Sequence, residues 1–201
     1  MKIGGLVLAA GGSSRFGGPK QLATLDGRPL LEHVLIAMAH APLDRVAVVL
    51  GSHAAEVRDG VPMHGAEPVW CADWQEGLAA SLRAGVAALP DCDAVAVALG
   101  DQPRLAAAAV ARVVSQRGAD ELAVRATYGG VPGHPVLLER TLLARVGELT
   151  GDAGARELLH GIPIREVACD GLGSPDDVDT AADLAALISA PSLAAHRRRV
   201  G

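Results

Sequence analysis

Aromatic residues are nearly missing: two Trp, one Tyr and one Phe stand among 201 residues, half of which are apolar. The core must therefore be built from Ala, Val and Leu. Cysteine is scarce as well, at three residues. Cys71, Cys92 and Cys169 are odd in number, far apart and outside any CxxC pattern. That excludes a disulfide framework or a thiolate zinc site and suits small buried hydrophobes of a reducing compartment. Basic excess is missing too, since the net charge is -5. A broad nucleic-acid-binding surface is excluded on that ground, and Arg197, Arg198 and Arg199 read as a solvated tail. No stretch of about 18 apolar residues runs uninterrupted, and the apolar run after Gly4-Gly5 is too short for a signal segment. The expectation is a cytoplasmic protein with neither membrane nor nucleic-acid partners.

Two familiar phosphate loops are also lacking. Pro19 and Gln21 flank Lys20 where GxxxxGK[ST] requires Gly and Ser or Thr. Gly11 is followed two residues later by Ser13, which breaks GxGxxG.

What is present is alternation. Apolar runs at 3–9, 45–51, 67–71, 93–101, 121–128 and 163–169 read as strands. Helical periodicity lies between them, at 29–41, 53–58, 76–89, 106–116, 139–148, 153–160 and 180–190. The polar stretch 129–135 reads as a loop before a short strand. This pattern predicts an α/β domain, a mostly parallel sheet covered on both faces. It spans residues 1–190 as one unit, with 191–201 as a flexible tail. Ligands of such folds sit beyond the carboxyl ends of the strands.

Three features fall there. In LVLAAGGSSRFGGPKQL, residues 6–22, Gly11, Gly12, Gly17 and Gly18 let backbone amides approach a ligand closely, while Arg15 and Lys20 add positive charge. That is the chemistry of a polyphosphate site. Asp101, in LGDQP, is either a helix cap or a ligand for a hard cation. Beside a polyphosphate loop, Mg²⁺ is the better account. Asp176, Asp177, Asp179 and Asp183 crowd the entry to the last helix; capping by Thr180 and Asp183 explains some of them, and Asp177 or Asp179 is left to complete a metal shell.

Taken in order, LAAGGSSRFGGPKQL, GLAASLRAG, GDQP, GHPVLL, GDAGARELL and DVDTAADL resemble the MobA/MocA-like nucleotidyltransferases. That group contains the molybdenum cofactor cytidylyl- and guanylyltransferases. The resemblance implies a Rossmann-like three-layer α/β/α domain of the nucleotide-diphospho-sugar transferase type, using a nucleoside triphosphate and Mg²⁺ and releasing pyrophosphate. It places Leu8, Ala9, Ala10 and Gly11 along the base and ribose, and Gly12, Arg15 and Lys20 at the triphosphate. Gly77 and Ser81 would close the base pocket. Asp101 would be the principal metal ligand and Asp179 its partner, with Asp177 the substitute.

Gly133, His134, Pro135, Asp152, Gly154 and Arg156 would line the acceptor side, together with Gly151 and Ala155. The Ala9-Ala10 pair and Pro19 lean toward the cytidylyl members. The implied reaction is transfer of CMP from CTP to the terminal phosphate of a molybdopterin-type cofactor, with a molybdoenzyme as possible client. The alternatives are guanylyl transfer, another phosphate acceptor, or NAD(P)H-dependent oxidoreduction of the nicotine blue type. A further one is a chaperone-like binder that hands cofactor to a partner enzyme.

Overall fold

A computed structural model of the chain describes residues 1–118 and 120–189. The basic tail and the end of the last expected helix lie outside the described residues.

The elements follow the apolar runs. In chain order they are β1 (Ile3–Leu8), β2 (Thr24–Leu25), β3 (Arg28–Pro29), α1 (Leu30–Ala39), β4 (Arg45–Leu50), α2 (Ala54–Gly60), β5 (Glu67–Trp70), α3 (Leu78–Ala87), β6 (Ala94–Leu99), α4 (Ala107–Ser115), β7 (Ala123–Tyr128), β8 (Val131–Glu139), α5 (Arg140–Leu143), α6 (Ala155–Leu158), β9 (Arg165–Ala168) and α7 (Ala181–Ser189). A seven-stranded sheet has the order β5-β4-β1-β6-β8-β7-β9, and β2 and β3 form a separate hairpin. Parallel pairing links β5, β4, β1 and β6, and links β7 to β9. β8 pairs antiparallel with both β6 and β7, so it alone runs against the rest of this sheet.

β1 is buried along its whole length, as its unbroken apolar sequence requires. Its residues alternate between two cores. Val7 packs with α1, α2 and α4 residues such as Leu31, Val34, Val57 and Val110 on one face. Leu6 and Leu8 pack with Leu82 of α3, Leu142 of α5 and Leu158 of α6 on the other. The result is the three-layer α/β/α arrangement expected. Cys71, Cys92 and Cys169 are free and buried within these cores.

Two expectations need correction. Residues 129–135 are not a loop: after the turn at Gly129 and Gly130, both at positive φ, the chain enters the nine-residue β8 directly. Asp101 does not end a strand either; β6 stops at Leu99, and Asp101 stands in the turn that follows. No helix among the described residues is long and apolar enough to cross a membrane.

Candidate active site

The glycine loop leaves the carboxyl end of β1 and is tied at both edges. The Ala9 amide donates to Val49 O at 3.0 Å on one side, and the Gly100 amide donates to Leu8 O at 2.9 Å on the other. Gln21, nearly inaccessible, pins the loop from beneath: its Nε2 donates to Ala9 O at 2.8 Å and to Gly11 O at 3.2 Å. Ser13 takes a left-handed conformation (φ 53°), and its Oγ accepts the Lys20 amide at 3.2 Å. The loop thus has a fixed floor, with Arg15 and Lys20 held on it.

Beside it opens a cavity of about 480 Å³ at the carboxyl ends of β1 and β6. The residues expected to meet a nucleotide all line it: Leu8, Ala9, Ala10, Gly11, Gly12, Arg15, Lys20, Gly77, Ser81 and Asp101. Asp152 and Asp179 line it too. Trp74, not singled out from sequence, closes one wall; a Cβ at Gly12 would lie 3.1 Å from its ring and one at Gly51 2.5 Å from its Cβ. Gly77 has φ 109°, and a Cβ there would fall 2.5 Å from the Gly151 carbonyl. Only glycine lets the start of α3 press against the 151–152 loop so closely, an approach fixed by the Ala79 amide donating to Gly151 O at 3.0 Å.

The charges converge on one atom. Lys20 Nζ donates to Asp101 Oδ2 at 2.7 Å and to Asp179 Oδ1 at 2.9 Å. Arg15 reaches the other Asp179 oxygen at 2.9 Å from an exposed position. Burial alone would lower the Lys20 ammonium, but the two carboxylates outweigh it and hold the group above its ordinary value. The hydrogen bond from Lys20 holds the Asp179 carboxyl below its ordinary range, with Arg15 adding to the effect.

Asp101 Oδ1 is buried and has no hydrogen-bond partner among the described residues. An orphaned anionic oxygen beside a second carboxylate is the donor chemistry a hard divalent cation takes. No group of three or more His, Cys, Asp or Glu side chains that could hold a metal exists among the described residues. Any cation here would therefore draw further ligands from phosphate oxygens, as Mg²⁺ commonly does.

The segment that delivers Asp179 is docked onto the turn that carries Asp101. The Val178 amide donates to Asp101 O at 2.9 Å, and Val178 is fully buried against Leu25 and Leu30. Gln102 Nε2 donates to Pro175 O at 3.0 Å and to Asp177 Oδ1 at 2.6 Å. Asp177 is thus held by Gln102 and does not line the cavity, whereas Asp179 does. Burial pushes the Asp177 carboxyl up, and the neighbouring Asp101 and Asp179 add to the rise. Thr180 and Asp183 form the helix cap expected of them, with Asp183 Oδ2 accepting the Thr180 amide at 2.7 Å and Thr180 Oγ1 accepting the Asp183 amide at 3.2 Å.

The residues expected on the acceptor side divide. Asp152 reaches the cavity; Gly133, His134, Pro135, Gly154 and Arg156 do not line it. Gly154 is buried against Leu78, and its amide donates to Glu157 Oε2 at 2.7 Å, so its visible work is to start α6. Arg156 is exposed. His134 lies on β8, its carbonyl accepting from Tyr128 Oη at 2.9 Å. Burial pushes its imidazole down to about 4 against the opposing pull of Asp101, so it is neutral at pH 7.

Gln21 and Trp74 were the residues sequence reasoning missed. The signal for Gln21 was a polar residue set between Lys20 and the apolar Leu22-Ala23 pair; for Trp74, one of only four aromatic residues standing just before GLAASL.

Residues 5–167 match the MobA-like NTP transferase domain family. The chain belongs to that family. It is a nucleotidyltransferase by that membership, and its mostly parallel sheet with helices on both faces is the fold it shares with solved structures of its relatives. Among its relatives is the nicotine blue oxidoreductase of Paenarthrobacter nicotinovorans, 32% identical over 89% of this chain and 92% of that protein. A probable molybdenum cofactor guanylyltransferase of Bacillus cereus is 47% identical over 27% of each chain. Among solved structures, Rv0371c of Mycobacterium tuberculosis superimposes with a TM-score of 0.86 at 35% identity, covering 94% of this chain and 98% of its own. A complex of the same mycobacterial protein with manganese gives 0.82 at 33% identity, covering 94% of this chain and 100% of its own.

Proposed function

We propose that this MobA-like protein is a divalent-cation-dependent cytidylyltransferase that moves CMP from CTP to the terminal phosphate of a molybdopterin-type cofactor and releases pyrophosphate. The observation that carries the reading is the meeting of Lys20, Asp101 and Asp179 at one edge of the cavity walled by the glycine loop. Residues 1–190 act as a single catalytic unit in this reading. Its support on the nucleotide side is that every residue the family resemblance assigns to the nucleotide faces one cavity.

An acceptor phosphate oxygen attacks the α-phosphorus of CTP, the new P–O bond forms, and the bond to the pyrophosphate oxygen breaks. No covalent enzyme intermediate is required, so the protein's task is to position and to stabilise charge. Leu8, Ala9, Ala10 and Gly11 border the base and ribose, with Gly77 and Ser81 opposite. Gly12, Arg15 and Lys20 meet the phosphates, and the two cations stabilise charge gathering on the leaving group. Asp101 and Asp179 would hold Mg²⁺, which when bound supplies further neutralisation of the phosphate oxygens. Asp152, which also lines the cavity, is assigned to the acceptor, as is His134 on β8, whose ring feels the charge of Asp101. A neutral His134 presents a hydrogen-bonding ring without adding charge. A molybdoenzyme that takes the finished cofactor is the partner this chemistry implies.

Thermal unfolding with CTP, GTP, ATP, UTP and NADPH, each with and without Mg²⁺, tests the reading. A ligand at 100 times its Kd adds about 2.7 kcal/mol, a readily measured shift. The expected result is stabilisation by CTP that depends on Mg²⁺. A shift with GTP alone would move the assignment to guanylyl transfer. Stabilisation by NADPH with none from any triphosphate would replace it with the chemistry that the Paenarthrobacter relative is named for.

A further inference from the structure

Both cations of the glycine loop are bound to the carboxylates that fit a divalent metal. Lys20 Nζ sits 2.7 Å from Asp101 and 2.9 Å from Asp179, and Arg15 takes the remaining Asp179 oxygen at 2.9 Å. Lys20 is the more enclosed of the two, its side chain 14% exposed against 71% for Arg15. Two positive and two negative groups therefore close on one another, across 164 residues of sequence in the case of Arg15 and Asp179. A metal cation cannot enter between Asp101 and Asp179 while an ammonium holds that place. Equally, Lys20 has a single N–H left to offer a phosphate while both its carboxylate bonds persist.

We infer that Lys20 is a built-in stand-in for the metal, and that nucleotide and cation bind by exchange of partners: the metal takes Asp101 and Asp179 while the phosphates take Lys20 and Arg15. This rests on the nucleotidyltransferase reading of the same site. Each exchange compensates the other, so neither ion is left unpaired in a partly enclosed space. Metal alone must displace Lys20 with nothing for the ammonium to turn to, and triphosphate alone must draw Lys20 away from two bare carboxylates. Each ligand then tightens the other by the same factor, as linkage demands.

The device also explains why a site with two carboxylates and an orphaned Asp101 oxygen stays compact: Lys20 neutralises it until substrate arrives. It predicts the unusual result that deleting a positive charge from the phosphate-binding loop improves metal binding.

The test is direct titration of the protein with Mn²⁺, following free Mn²⁺ by electron paramagnetic resonance, in wild type, Lys20→Gln and Arg15→Gln. In the absence of nucleotide, Lys20→Gln is expected to bind Mn²⁺ about tenfold more tightly than wild type, inside the roughly 5- to 150-fold span usual for such couplings. Arg15→Gln, at an exposed position where folding is not at risk, is expected to shift in the same direction by a smaller factor. In wild type, CTP is expected to tighten Mn²⁺ by at least the factor that Lys20→Gln gains without it, and in Lys20→Gln that enhancement is expected to shrink. Unchanged or weaker Mn²⁺ binding in both variants, with wild type still showing Mn²⁺-dependent CTP binding, would overturn the exchange and leave the transferase reading standing. Failure of wild type to bind any triphosphate would instead remove the transferase reading, and the exchange with it.

Discussion

Lys20 and Asp101 illustrate how much one contact can carry. The 2.7 Å bond between them joins the loop after β1 to the turn after β6, and removing either partner leaves the other charge in a half-enclosed cavity. Asp101→Ala or Lys20→Ala is expected to lower pyrophosphate release by about 10²-fold or more, with the fold retained by circular dichroism. Turnover like that of wild type would sink the assignment of these residues. His134 provides a second prediction at this scale. Its imidazole is pushed from 6.5 down to about 4 in the folded protein. The unfolded chain then binds the proton more readily between those values, and stability falls as pH is lowered through that window. Urea midpoints measured from pH 7 to pH 4 are expected to fall with pH in wild type. The fall should be shallower in His134→Gln; identical profiles would show that the ring is not buried as described.

Among the elements, α3 depends most on a single backbone position. Gly77 enters it at φ 109° with the Gly151 carbonyl where a side chain would begin. Gly77→Ala is expected to cost at least about 1 kcal/mol through backbone strain, with further loss from the displaced 151–152 loop. Comparing its melting temperature with that of Gly85→Ala, whose Cβ would first meet the Leu6 and Val49 side chains, separates cavity-wall strain from ordinary overpacking. The elements also mark where sequence reading succeeds. β1 and β6, and β4 after its exposed first residue Arg45, are legible because strands covered on both faces must be apolar. Only the second half of β8 was legible, because Pro132, Gly133 and Pro135, after the turn at Gly129 and Gly130, carry loop chemistry. The strand forms regardless because it completes the ladder between β6 and β7, with a register shift between Arg125 and Thr127 absorbing the irregular stretch. The β2–β3 hairpin escaped notice for a different reason: two-residue strands leave no periodicity to detect.

Viewed as a whole, the molecule assembles its site from segments far apart in sequence, from Leu8 to Asp179. The six motifs were legible because glycine, lysine and aspartate cluster just after apolar runs, where such sheets bind ligands. What could not be read was which aspartate of the last group turns inward. That is decided by the buried Val178, by Gln102 holding Asp177, and by the Leu105–Gly173 bridge, all of them long-range contacts. A chain ending at residue 172 keeps every strand of the large sheet, since β9 ends at Ala168, but loses Val178 and Asp179. It is expected to fold with a lowered melting temperature and to lose metal-dependent stabilisation by CTP; retention of that gain would move the second carboxylate elsewhere.

The reversed strand has one more consequence. Because β8 runs against its neighbours, the Gly129-Gly130 tip between β7 and β8 emerges at the same sheet edge as the cavity, while the paired Val124 and Leu137 stay locked in the core. Insertions at that tip would lengthen the turn without re-registering the sheet. The architecture thereby separates the place where the chain can change length from the pairs that hold the fold.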